Sequence, residues 1–277
     1  MFLDLNLILG LLIGFGSLIA AFILEGGSPG ALLASTAAMI VFGGTIGATL
    51  IGLRREEVLN IPKLLKVAFR EKPLDLNETI NAIVNYAVLA RKEGFVRLEK
   101  ELDGVKDDFL RTALQLVVDG TDPEQTRNVL EQYIYATSER HHSGISLFEA
   151  AGGYAPTMGI IGTVMGLVHV LSNLSTPDKL GPSIAMAFIA TLYGVSSANL
   201  LWLPIATKLK NKDARERLYQ EMILEGVLAL QAGKNPTLIR NTLAAFLAPG
   251  KERAGAGKEE REVSAGASPQ GWARQQG

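Results

Sequence analysis

The chain has 277 residues, 48% of them apolar, and its 27 basic residues nearly balance its 28 acidic ones. Neither nucleic-acid binding nor an acidic partner follows from such a balance. With no cysteine, disulfides, thiolate metal sites and cysteine nucleophiles are all excluded, so packing alone must hold the fold.

Four stretches, roughly 5–24, 30–52, 150–172 and 184–205, contain no Lys or Arg. Each is long enough to cross a hydrocarbon core of about 30 Å, which takes about 20 apolar residues. The first is read as a membrane span and not a cleaved leader. No basic residue precedes it, Asp4 and Asn6 interrupt its start, and it runs through Glu25-Gly26-Gly27-Ser28-Pro29-Gly30 straight into the second. After Arg54-Arg55-Glu56-Glu57, the mixture of Lys63 and Lys66 with Leu64, Leu65, Val67 and Phe69 predicts an amphipathic helix near the bilayer surface. Ile80, Ile83, Val84, Ala87 and Val88 recur at steps of three and four, predicting a helix over 76–91 stopped by Gly94. Short helices over 95–102 and 107–118 follow, the latter closed by Gly120. Asp122-Pro123-Glu124-Gln125 is a helix start with cap, first-turn proline and a glutamine at the capping-box position. No proline follows until Pro156, so one long helix is expected to run into the third span. The fourth span should continue past Lys208 to about Gly233. Asn235-Pro236 opens a last helix ending near Pro249, and the Gly-, Ala-, Lys- and Glu-rich tail is expected to be disordered.

Positive charge sets the expected topology. Fourteen Lys and Arg lie from Arg54 to Arg140 and twelve from Lys208 to Arg274, leaving only Lys179. Basic residues near span ends collect on the cytoplasmic side. The expected organisation is a first hairpin over 1–53, a cytoplasmic helical domain over 54–147 and a second hairpin over 148–207. Cytoplasmic helices over 208–249 and a tail over 250–277 complete it, with both termini inside. The fold class is an all-α membrane protein with four transmembrane helices and a helical cytoplasmic domain.

Small residues recur through the third span at Ala155, Gly159, Gly162 and Gly166, and through the fourth at Ala187, Ala190, Gly194 and Ala198. Such seams let helices approach closely in a membrane. They serve either the contact between these two helices alone or a further helix from a partner as well. Thr163 and Thr191 lie at equal distances from the turn at Pro177, hence level with each other. Each hydroxyl either bonds back to its own helix or, together, they offer oxygens to a dehydrated cation. Pro156 and Pro204 form a second pair, as static kinks or as hinges. No Asp, Glu, Lys or Arg stands deep in any span, so an ion-conducting role would require a carboxylate from a partner. Enzyme chemistry finds no support: His141-His142 with Glu149 lacks metal-ligand spacing, and Gly43-Gly44-Thr45-Ile46-Gly47 follows no strand. No catalytic residue, bound metal or cofactor is expected.

Three segments carry a family resemblance: Ala155-Pro156 with Met158 to Val168, Ala190-Thr191-Leu192-Tyr193-Gly194 running to Leu203-Pro204-Ile205-Ala206, and Glu221 to Gln231. Over residues 1 to about 248 the chain resembles the MotA/PomA family of flagellar stator subunits. The resemblance implies a ring of five subunits around two copies of a MotB/PomB-type single-span partner. That partner binds peptidoglycan and supplies the conducting aspartate. It also implies coupling of ion passage to movement through Pro156 and Pro204, and contact of Arg91 and Glu99 with the rotor's switch protein. Threonine at both 163 and 191 resembles sodium-driven members, so sodium is favoured over the proton as transported ion. An ExbB/TolQ-like energiser of outer-membrane work is the alternative, opposed by the complete hairpin before residue 147. A non-conducting membrane scaffold is the other.

Overall fold

The computed structural model describes residues 2–71, 74–172 and 177–247. The chain divides into two compact units, residues 1–73 with 137–214 and residues 74–136 with 215–277. The expected end of the last helix near Pro249 and the expected disorder of the tail fall outside the described residues.

The first unit opens with β1 (Phe2–Leu3), then Asp4, whose carboxylate accepts the Leu7 amide and caps α1 (Leu5–Leu24). The second apolar stretch is not one uniform helix. It starts as a 3-10 turn (Pro29–Leu32), breaks at Leu33, and resumes as α2 (Ser35–Ala38), a π-helical turn (Met39–Gly43) and α3 (Gly44–Ile51). Broken backbone at membrane depth requires other partners. Tyr193 supplies them, its hydroxyl donating to the Leu32 carbonyl and accepting the Ala34 amide at 3.2 Å.

Helix α4 (Arg55–Phe69) is the amphipathic segment. Ile61, Leu64, Leu65, Ala68 and Phe69 pack on Ile145, Phe148, Ile205, Ala206 and Leu209. It ends in β2 (Arg70–Glu71), which pairs antiparallel with β1 through Phe2 opposite Glu71 and Leu3 opposite Arg70. This two-residue pairing is the one departure from all-helical structure among the described residues. Hydrophobic periodicity carries no signal for so short a strand.

In the second unit, α5 (Leu76–Glu93) is capped by Asp75 and ends at Gly94, which has φ of 82° and donates to the Ala90 carbonyl. Then come α6 (Phe95–Glu99) and α7 (Asp108–Val118), the latter capped by Asp107. The expected single helix over 95–102 is shorter, and a 3-10 turn over Leu102–Gly104 completes that stretch.

Helix α8 (Pro123–Ser172) is the expected long helix, with Asp122 accepting the Glu124 amide at its start. The fourth span is α9 (Pro177–Ser197), a π-helical turn (Ala198–Trp202) and α10 (Leu203–Gln231). The widened turn ends two residues before Pro204, whose ring nitrogen has no proton to bond the preceding turn. Finally α11 (Pro236–Ala244) is capped by the Asn235 side chain.

The second unit's core joins Ile83, Leu98, Ala113, Leu114, Leu130, Met222, Ile223, Val227 and Leu243. Gly226 lies against Ile83 and Leu243, each 3.0 Å from where a Cβ would stand. That contact explains a glycine inside α10. Polar ties reinforce it: Arg127 to Glu225 at 3.0 Å, and Thr79 to the Tyr219 hydroxyl at 3.1 Å.

Among the described residues, four helical segments are long and apolar enough to cross a membrane, over Leu5–Leu24, Pro29–Ile51, Pro123–Ser172 and Leu180–Gln231. Two ion pairs tie ends of these helices within the first unit. Lys208 reaches the Asp4 carboxylate at 2.5 Å, and Lys210 reaches Glu149. Burial by itself would raise the Asp4 pKa. The Lys208 bond, the Leu7 amide and the charges of Lys208 and Lys212 outweigh it, holding the carboxyl below its usual range.

Candidate functional site

Helices α8 and α9 meet along the seam of small residues. A Cβ on Gly159 would stand 2.9 Å from the Ala190 carbonyl oxygen, and one on Gly194 would stand 2.6 Å from that of Ala155. Cβ atoms on Gly162 and Gly166 would stand 2.6 Å from the Cβ atoms of Ala190 and Ala187. These distances lie far inside van der Waals contact, so only hydrogen fits. The four glycines thus face the other helix of their own hairpin. The outward side of the third span is large and apolar, with Ile160, Ile161, Val164, Met165 and Val168 exposed.

Close approach brings Thr163 and Thr191 together. Their hydroxyl oxygens are 2.5 Å apart. Thr163 Oγ1 is also 2.9 Å from the Ala187 carbonyl oxygen and 3.1 Å from that of Gly159, and Thr191 Oγ1 is 3.5 Å from the latter. Each hydroxyl owns one proton, so Thr163 has three acceptors within reach and can satisfy one at a time. Two hydroxyls and two carbonyls therefore make a compact group of four oxygens. Hard cations shed water in favour of such oxygens, including carbonyls. No charged side chain occurs in residues 159–166 or 187–194, so the group carries dipoles and no net charge.

Both prolines lie toward the same end of the hairpin from this region, the end away from the connection between α8 and α9. Leu203 packs on Gly152, one helical turn before Pro156, while Pro204 follows next in sequence. Arg91 and Glu99 are placed elsewhere, in the second unit, on either side of the Gly94 turn. Both side chains are exposed, and among the described residues neither has an ion-pair partner. Arg97, between them in sequence, instead pairs with Glu93 at 3.3 Å and Glu101 at 3.0 Å. The turn is thus held without using Arg91 or Glu99.

Two residues that sequence reasoning did not single out position the site. Tyr193 fixes the broken second span against α9, two residues from Thr191. A tyrosine hydroxyl inside an apolar span needs a partner, and that need was the available signal. Asp4 was read only as an interruption, whereas it is buried and bonded to Lys208.

Comparison with known proteins adds the family. The Motility protein A N-terminal model matches residues 8–94, and the MotA/TolQ/ExbB proton channel family model matches residues 101–222. The chain is 37% identical over 252 residues to Motility protein A of Bacillus subtilis (strain 168), covering 91% of this chain and 93% of the relative. It is 39% identical over 249 residues to Chemotaxis protein PomA of Vibrio alginolyticus, covering 90% and 97%. Among solved structures, C. jejuni MotAB superposes with a TM-score of 0.85 at 29% identity, covering 89% of this chain and 97% of that one. The flagellar MotAB stator complex from Bacillus subtilis gives 0.83 at 38% identity with the same coverage. The chain belongs to the MotA/PomA family of flagellar motor stator subunits, within the wider MotA/TolQ/ExbB proton channel family.

Proposed function

We propose that the chain is the membrane subunit of a flagellar stator, and that it turns cation flow across the inner membrane into torque on the rotor. The observation that carries this reading is the four-oxygen group around Thr163 and Thr191, in spans that hold no carboxylate of their own. A MotB/PomB-type single-span partner supplies the acidic group that binds and releases the ion. Solved relatives described as MotAB complexes support such a partner. Several copies of the chain, five in the family pattern, surround it. Sodium is favoured over the proton, because a proton needs only one basic site whereas a dehydrated metal cation needs several oxygens. Pro156 and Pro204 convert occupancy of the path into reorientation of α8 and α10, and Arg91 with Glu99 engages the rotor's switch protein. Residues 54–147 and those after 206 lie on the cytoplasmic side, with both termini.

The test measures swimming speed or stator-dependent conductance against sodium concentration at fixed pH. Thr191→Val keeps the side-chain shape and removes one oxygen. Sodium dependence should shift to higher concentration while the complex still assembles, and Thr163→Ala should shift preference toward protons. A wild-type motor indifferent to sodium refutes the sodium assignment. A sodium-dependent motor untouched by either substitution assigns both hydroxyls to packing.

A further inference from the structure

We infer that α4 is a docking helix for anionic phospholipid: its outward face, with Arg55, Lys63 and Lys66 beside Leu59 and Val67, seats on negatively charged headgroups of the leaflet where the chain's basic residues collect. Placement comes first. Only Gly52, Leu53 and Arg54 separate the helix from the end of the second span at Ile51, and its last carbonyl, that of Phe69, accepts the amide of Asp4 at 2.9 Å. Asp4 immediately precedes the first span. Both ends of α4 are therefore fastened to ends of membrane-spanning helices. Lys212 holds the same end more firmly, its ammonium donating to the carbonyls of Val67, Ala68 and Arg70 at 2.7, 3.0 and 2.7 Å. A helix pinned at both ends in this way lies across the span ends, at headgroup depth.

Its two faces differ in kind. The inner face is consumed by packing on Phe148, Ile205 and their neighbours. The outer face carries Arg55, Leu59, Lys63, Lys66 and Val67, all exposed, with Leu59 72% and Val67 39% accessible. Charge pairing separates these cations from four others in the first unit. Arg54 is bonded to Glu57 at 3.0 Å, Lys208 and Lys212 face Asp4, and Lys210 faces Glu149. Among the described residues, Arg55, Lys63 and Lys66 pair with no carboxylate. Glu56 is the one acidic side chain exposed on this helix. Unpaired cations at headgroup depth, interleaved with exposed aliphatic groups, match an anionic bilayer surface, where aliphatic groups enter the acyl boundary and ammonium stems reach back to phosphate. A second copy of this chain would have to offer three unpaired carboxylates at matching spacing.

The test uses the full-length chain in its oligomeric form in a neutral detergent, titrated with short-chain phosphatidylglycerol while thermal unfolding is followed. Short-chain phosphatidylcholine and inorganic phosphate serve as comparisons. Phosphatidylglycerol should raise the unfolding temperature, and the two comparisons should not. In an R55Q/K63Q/K66Q variant the concentration for half the effect should rise on the order of 100-fold, from about 1 kcal/mol per surface cation. Each single glutamine variant should give about a five-fold rise on the same basis, which serves if the triple variant does not fold. An unchanged half-effect concentration overturns the inference. So does equal stabilisation by phosphatidylcholine or by phosphate. Loss of the oligomer in the triple variant, with its lipid response intact, would assign the face to a subunit contact. None of this rests on ion identity, so failure of the sodium reading leaves it standing.

Discussion

At residue 194 a methyl group has nowhere to go: the Cβ position lies 2.6 Å from the Ala155 carbonyl oxygen and 3.0 Å from Gly159 Cα. Both neighbours are backbone, which cannot swing aside as a flexible side chain can. Gly194→Ala should therefore force α8 and α9 apart and destabilise the hairpin by about 1–3 kcal/mol. A lowered unfolding temperature together with lost motility is the expected result, and unchanged stability would mean the seam is looser than the distances indicate. Gly14 makes a useful contrast, because its close neighbour is the end of the Leu200 side chain, and Gly14→Ala should be milder. The same closeness at the seam creates the threonine pair. Spacing placed Thr163 and Thr191 level with each other, and the glycines bring the two hydroxyls to 2.5 Å.

Among the elements, the second span depends most on a distant side chain. Its break leaves the Leu32 carbonyl and the Ala34 amide without helical partners, and one Tyr193 hydroxyl serves both. Tyr193→Phe removes that hydroxyl while keeping the ring against Phe42. Two backbone groups then lose their partner at a cost of about 1–3 kcal/mol each. We expect a lower unfolding temperature and faster amide exchange confined to residues 30–36. Unaltered exchange there would mean that water reaches the break. Helix α5 shows the opposite case, an element closed by local sequence alone, with Asp75 at one end and Gly94 at the other. Arg91 and Glu99 flank that turn, exposed and outside the Arg97 ion-pair network. Arg91→Glu should thus leave expression and unfolding temperature unchanged while lowering motor torque, and a compensating charge reversal in the rotor should recover part of it. Normal torque across loads would remove the pair from the rotor contact.

For the whole molecule, the proposed orientation in the bilayer rests on charge: 26 of 27 basic residues lie in 54–140 and 208–274. Since the chain has no native cysteine, single introduced thiols report topology cleanly. Ser28→Cys, exposed in the first hairpin turn, should react with an impermeant reagent added outside, and Lys100→Cys should not. The reverse labelling would invert the topology and with it the side on which α4 meets lipid. Asp4–Lys208 bonds an end of the first hairpin to an end of the second, while Glu149–Lys210 joins the two helices of the second. Neither hairpin can then turn over without breaking the Asp4–Lys208 pair.

Span number, helix order and the helix starts at Asp122 and Asn235 were legible from sequence because they are local: apolar length, i to i+4 recurrence, and Asp, Asn, Pro or Gly at helix ends act over a few residues. The caps at Asp4, Asp75 and Asp107, equally local, were not singled out. Asp75, Asp107, Asp122 and Asn235 each bond an amide two or three positions on. Tertiary structure alone decided what depends on approach between distant segments. The break in the second span needs a tyrosine some 160 positions away, β1 needs β2, and the buried charge of Asp4 needs Lys208. Sequence offered two uses for the small-residue seam, and contact distances show which helix each glycine touches. A hydrogen has replaced a methyl there so that two backbones can meet, and no pattern read along one strand of chain contains the position of the other.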